Sequence, residues 1–308
     1  FCSQPPYLHF MVADIYEKTH DKVWLKGAYR RLKSEYSFWQ RERTTPTGLN
    51  RYYHIPLSDD DLVAYYDYVA NERIAIDKNA AREEKIRVAH NLVAVAESGM
   101  DWTPRFGLSA ADVLPVDLNA NLYALEKHLA EWAEYFEPET AGFFSDAAKK
   151  RKKLMDKYML SDGVYYDYNY ALKERSHFKF SGQFLPFIVG IANDKNGAIS
   201  LLNALLYDHG VVSTEKTDDT LSYQWSYPNS WAPDNYLAYF AMKTLGEKAL
   251  AEEIKKRYMK NVADTFLKTG ALWEKYDGVV GGAATKTEHE ITEMLGWTGG
   301  VFSYFRKG

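Results

Sequence analysis

Apolar residues recur at helical spacing along most of this chain. Residues 5–19 open with prolines and carry Phe10, Met11 and Ile15. Asp21 caps a segment running to about residue 40, with Val23, Leu25, Tyr29, Leu32 and Tyr36 on one face. Ser58 followed by Asp59, Asp60 and Asp61 reads as the N-cap and first turn of a helix through Val69. Cap bonding and helix-dipole complementarity explain that acidic cluster better than a calcium site does. Further helices are predicted over 79–97, 116–135, 138–159, 183–192, 198–207, 233–245, 247–269 and 298–305.

Short turns join 116–135 to 138–159 and 233–245 to 247–269, so these predicted helices form antiparallel pairs. Strand-like sequence is confined to short pieces such as 163–170, and no strand–helix alternation argues for a parallel sheet. Helical hairpins closing into a toroid fit the pattern; an open solenoid lacks the fixed sequence period it needs. No linker splits the chain, which predicts a single all-α domain over 1–308.

Composition narrows the function. A 46% hydrophobic and 26% charged chain of 308 residues can bury a substantial core. The net charge of −4 gives no basic field for nucleic acid or an anionic membrane, and the run Lys149–Lys153 reads as a solvated helix face. No stretch of about 18 apolar residues exists to span a bilayer. Cys2 is the only cysteine, excluding an internal disulfide and a cysteine zinc site; His289-Glu290 lacks the second histidine of a zinc helix. Phe1 stands where a Met would open a whole chain, so the sequence reads as processed or cut from something longer. Aromatic residues make up 15%, which is either core or a cleft of flat rings that stack on sugars.

Four loops interrupt the helices with Trp, Asn, Asp, Glu and Gly: residues 96–106, 115–123, 224–233 and 274–300. They hold what glycoside hydrolysis requires, a carboxylic acid on one side of the scissile bond and a carboxylate on the other. Asp101, between Met100 and Trp102, sits where apolar neighbours raise a carboxyl pKa. Glu288 lies far away in sequence, with Glu290 and Glu293 as competitors. Trp102, Trp225 and Trp231 are candidates to stack on sugar faces, with core packing as the competing role of the last two. Arg105, Asn119, Gln224 and Asn229 are candidates to bond hydroxyls.

Together these segments resemble the trehalase family, glycoside hydrolase family 37. The likeness runs through Glu97-Ser98-Gly99-Met100-Asp101 with Arg105, Pro115 to Asn119, Gln224 to Pro233, Glu274 to Asp277, and Leu295 to Gly300; Ser3-Gln4-Pro5-Pro6 adds a match near the start. The resemblance implies an (α/α)6 toroid of twelve helices, of which about ten are legible, so part of the N-terminal region is expected to be missing. It implies hydrolysis with inversion and without metal or cofactor, with Asp101 as general acid and Glu288 as general base. It also places Gln4 and Trp297 with the sugar-binding candidates. The partner it implies is a small sugar, α,α-trehalose first. A related family 63 α-glucosidase or α-mannosidase, a degenerate sugar-binding protein and a helical scaffold are the alternatives.

The departures bear on the substrate. Cys2 stands where the family has Arg, and Ser226 and Ser230 depart from its third segment. The stretch from His54 to Asp59 lacks the Arg and Glu that clamp the sugar, and Ala284 to His289 replaces a glycine-rich run. Burying a disaccharide's hydroxyls without partners costs affinity.

Overall fold

A computed structural model describes residues 3–218, 223–284, 291–293 and 296–307. Its architecture is helical, as the periodicity predicts. Helices α1 (Leu8–Thr19), α2 (Lys22–Arg43), α3 (Asp59–Glu72), α4 (Arg82–Glu97), α5 (Val116–Phe136) and α6 (Pro138–Tyr158) are followed by α7 (Leu185–Ile188), α8 (Lys195–Leu205), α9 (Ala232–Thr244), α10 (Lys248–Thr269) and α11 (Trp297–Lys307). Only Glu137 separates α5 from α6, and three residues separate α9 from α10, so each pair folds back on itself. The remaining regular structure is short 3-10 turns and two- and three-residue strands, among them Asn229–Trp231 paired antiparallel with Lys275–Asp277. No helix among the described residues is long and apolar enough to cross a membrane.

The caps explain the boundaries. Asp21 accepts from the Val23 and Trp24 amides, Asp194 from those of Asn196 and Gly197, and Ser58 forms a reciprocal capping box with Asp61. The acidic cluster at 59–61 is thus a helix start. The predicted helix over 183–192 is a 3-10 turn, Ser181–Phe184, and one α-turn. Pro186 removes an amide, Gly190 turns at φ +78°, and the amides of Ile191 and Ala192 both bond back to the Pro186 carbonyl.

Burial grades the helices. Residues Val116 to Leu122 of α5 are buried on every side, whereas α6 and α10 bury one stripe, so α5 begins inside and its partner covers it. The Val116–Leu122 turn therefore carries polar groups, Asp117, Asn119 and Asn121, into the interior, where each needs a partner.

Two histidine pairs join elements remote in sequence. His9 Nδ1 lies 3.0 Å from His128 Nδ1, and His9 Nε2 lies 3.0 Å from Asn121 Oδ1, tying α1 to α5. His54 Nε2 lies 2.7 Å from His90 Nδ1. A ring-to-ring hydrogen bond needs one ring nitrogen without its proton. Burial, then His128, lowers His9 to about 3; burial, then Lys127, lowers His128 to about 4. The unfolded chain thus takes up protons below the ordinary histidine value of about 6.5 while the folded chain does not, and stability falls with pH from there. For His9 alone the loss between pH 6.5 and 5 is about 2 kcal/mol. Urea midpoints at pH 7 and pH 5 test this: the drop is expected to shrink in His9→Leu/His128→Leu, and an equal drop in both proteins counts against it.

Candidate active site

The loop bearing Asp101 starts at the C-terminus of α4, and its position is set by Glu97. The Glu97 carboxylate is wholly buried and pairs with Arg43 through Nε at 2.8 Å and Nη2 at 2.8 Å. It also accepts from the Tyr53 amide at 2.8 Å, the Ser3 amide at 3.0 Å and the Ser3 hydroxyl at 2.8 Å. Ser98 then donates to Val95 O and accepts from the Met100 amide, and Gly99 turns at φ +70°. A Cβ at Gly99 would lie 3.7 Å from Gln4 Oε1, so the exposed Gln4 side chain sits over this turn. Trp102 completes it in the left-handed region, φ +58°, which costs a non-glycine residue about 1 kcal/mol or more.

The second loop locks onto the first. Gln224 Nε2 lies 3.4 Å from both Asp101 Oδ2 and Asp101 O, and the Trp225 amide donates to Trp102 O at 3.2 Å. Gln224 is held by its own carbonyl, which accepts from Asn229 Nδ2 at 2.9 Å and Trp231 Nε1 at 3.0 Å. The indoles of Trp225 and Trp231 stack at 4.1 Å and 5°, and Trp297 stands edge-on to both. The other approach to Trp231 is taken by Lys275 Nζ, 4.6 Å from its ring centre, and that buried ammonium pairs with Glu274 at 2.9 Å. Trp102, Trp225 and Trp231 are buried; Trp297, 37% exposed, is the most open of the four.

Seven of the predicted site residues thus form one cluster: Asp101, Trp102, Gln224, Trp225, Asn229, Trp231 and Trp297. A cavity of about 50 Å³ adjoins it, walled by Asp101, Trp102, Ile74, Leu92, Ala96 and Leu108 among others. Glu288 lies outside the described residues, as does Cys2. The described residues flanking Glu288 are both fixed to one strand: the Ala284 amide donates to Lys275 O at 3.3 Å, and the Glu274 amide donates to Thr292 O at 3.0 Å. That strand pairs Lys275 opposite Trp231.

Arg105 and Asn119 are each held in a buried network, and Arg105 Nη1 also lies 3.9 Å from Met100 Sδ, next to Asp101. Arg105, its side chain enclosed, pairs with Asp117 at 2.6 Å and with Asp167 at 2.6 and 2.8 Å, and its guanidinium lies 3.6 Å from the Phe180 ring centre. Burial opposes its charge, but the two carboxylates outweigh that and raise its pKa; burial likewise raises Asp167 against the pull of Arg105. Asn119 accepts from the Asn50 amide and from Arg151, and donates to Asn50 O and Pro115 O. Arg151 in turn pairs with buried Glu126. Both predicted residues thus have buried protein partners.

Sequence reasoning did not select Glu97 or Asp234 as chemically central. Asp234 is buried at the start of α9 and accepts from Ser181, Ser213 and the Trp231 amide. Burial pushes its pKa up to about 6 against those three bonds. Its signal was available: an Asp three residues after Trp231 at a predicted helix start. Among the described residues no group of three or more His, Cys, Asp or Glu is arranged to hold a metal ion.

The trehalase family model matches residues 2–307. The structure resembles neutral trehalase from Saccharomyces cerevisiae, 25% identical with a TM-score of 0.79, over 99% of this chain and 62% of that one. It also resembles the GH63 mannosylglycerate hydrolase from Thermus thermophilus in complex with glucose, 17% identical with a TM-score of 0.60, over 100% of this chain and 76% of that one. An uncharacterized conserved protein from the same bacterium is 16% identical, with a TM-score of 0.63, over 100% of this chain and 78% of that one. The chain therefore spans less than two thirds of the length of the yeast enzyme it matches, and the helical toroid expected from the paired helices is its fold.

Proposed function

Because the chain belongs to the trehalase family, we propose that it is the catalytic domain of an inverting glycoside hydrolase, with α,α-trehalose as its first substrate. The observation that carries this reading is the fixed position of Asp101. Two loops more than 120 residues apart converge on it, and Glu97 anchors its helix end to three other segments. A general acid needs that placement more than it needs any one neighbour.

In this reading Asp101 donates its proton to the glycosidic oxygen as the C1–O bond breaks. Glu288 takes a proton from the water that attacks C1 from the opposite face, and one glucose is released as the β-anomer. Inversion asks for about 6.5–9.5 Å between the carboxyl groups. Trp297 offers a partly open ring to a sugar face, while Trp225 and Trp231 stiffen it from behind.

A second reading, hydrolysis of a different small α-glycoside, is favoured by one observation. His54, where the family's clamp segment begins, is buried against His90 and donates to or accepts from it at 2.7 Å. Neither an Arg nor a Glu follows before Asp59. A panel of α-linked disaccharides and glycosyl-glycerates, followed by released sugar and by anomer, separates the readings. Trehalose cleaved with initial β-glucose supports the first. Turnover confined to another glycoside supports the second, and no turnover of any member rejects hydrolysis.

A further inference from the structure

Both side chains that hold the Gln224 carbonyl, Trp231 and Asn229, are tied back to one buried carboxylate. Trp231 is fixed through its amide, which donates to Asp234 Oδ2 at 3.0 Å. Asn229 is fixed through its carbonyl, which accepts from the Ser213 amide at 2.9 Å, and the Ser213 hydroxyl donates to the same Asp234 oxygen at 2.7 Å. The other carboxylate oxygen, Oδ1, accepts from the Ser181 hydroxyl at 2.5 Å. Asp234, Ser181 and Ser213 are wholly buried. Capping alone does not call for this, since Asp21 and Ser58 cap their helices from exposed positions. Taking a carboxylate out of water is unfavourable unless hydrogen bonds replace the solvent. Asp234 meets that condition with hydroxyls drawn from 21 and 53 residues away.

We propose that Asp234 is a positioning residue for the reaction: it holds Trp231 directly and Asn229 through Ser213, and so sets where Gln224 presents its amide to Asp101. The inference rests on Asp101 acting as the acid. Gln224 Nε2 lies 3.4 Å from Asp101 Oδ2, a reach at which a small shift of the loop ends the contact. Enclosed behind Trp231, Asp234 acts on the chemistry only through that loop.

The test is steady-state kinetics on the best substrate of the panel, with each variant shown to be folded by its melting curve. In Asp234→Leu, kcat is expected to fall by about 10- to 100-fold, as a displaced catalytic group does, with KM within about threefold. Asp234→Asn is expected to restore kcat to within about threefold of the parent, its carbonyl oxygen taking the Trp231 and Ser213 bonds and its amide facing the Ser181 oxygen. The two serines separate position from stability. Ser213→Ala cuts a tie to the loop and is expected to lower kcat about fivefold, whereas Ser181→Ala cuts the far side and is expected to lower only the melting temperature. This pair decides the matter if Asp234→Leu does not fold. Repeated in the Asp101→Asn protein, the Asp234→Leu loss is expected to vanish. Unchanged kcat in folded Asp234→Leu, or equal kcat in the two serine variants, overturns the proposal and leaves Asp101 as the acid. A loss in Asp234→Asn as large as in Asp234→Leu, or one that persists in full beside Asp101→Asn, overturns it as well. Full activity in Asp101→Asn removes the acid itself, and the route from Asp234 with it.

Discussion

Replacing Asp101 by Asn is expected to reduce kcat by about 10²- to 10⁴-fold, the range a positioned general acid supplies, with little change in KM. The substitution removes the transferable proton and little else. An asparagine carbonyl oxygen still accepts from Gln224 Nε2, which contacts both the side-chain and the main-chain oxygen of Asp101 in the native protein. The backbone turn is kept, because Gly99 and the bond from the Trp225 amide to Trp102 O do not depend on the carboxyl. Steady-state kinetics on the best substrate from the panel, with an unchanged melting curve, would place the loss in the chemical step. Glu288→Gln should give a loss of similar size. Full activity in Asp101→Asn would remove this residue from the mechanism.

The largest expected effect on stability belongs to Arg105. Arg105→Met leaves Asp117 and Asp167 facing each other behind the loop with no cation between them. The native pair geometry is enclosed: Arg105 is sandwiched by the Phe180 and Phe106 rings, and Asp167 also accepts from the Val116 amide. Breaking a buried ion pair by removing one partner costs about 3–5 kcal/mol. The pH dependence has a defined sign. Burial already raises Asp167, and without Arg105 the largest opposing pull is gone, so it holds its proton more tightly than in the unfolded chain and the variant should regain part of its stability as pH falls toward about 4–5. Urea unfolding of both proteins across that range measures it. A variant as stable as the parent at pH 7 would show that the network contributes only geometry.

Much of the helical framework was legible because its signals are local. Asp21 and Ser58 start helices where they stand, and the apolar stripe of α2 needs only its own spacing; the cap at Asp194 went unread, so α8 begins three residues before the predicted 198. Of the short strands, the strand-like stretch 163–170 was legible and holds Val164–Tyr165 and Tyr168–Asn169. The pairing was not, since so short a ladder has no period to read and pairs such as Asn229–Trp231 with Lys275–Asp277 join loops from afar. At the site, the residue types and their segments were readable, and the direction of each side chain was not. Trp225 and Trp231 could be assigned to core or cleft by sequence alike. The structure gives both burial and proximity: they pack on each other, directly behind Trp297 and beside Gln224. Arg105 and Asn119 carried the right chemistry for hydroxyls, but, Pro115 O apart, the partners that occupy them lie at sequence separations of 12 to 69 residues. Only a folded chain shows that.

Glu97 places a constraint on the order of assembly. The groups that converge on it come from 94, 54 and 44 residues away, and none is a neighbour in the chain. Closing loops of such span costs chain entropy that only the docked helices between them offset. The turn that bears Asp101 is therefore held only once segments around Ser3, Arg43, Tyr53 and Gln224 have come together, and a partly folded chain, however helical, lacks it.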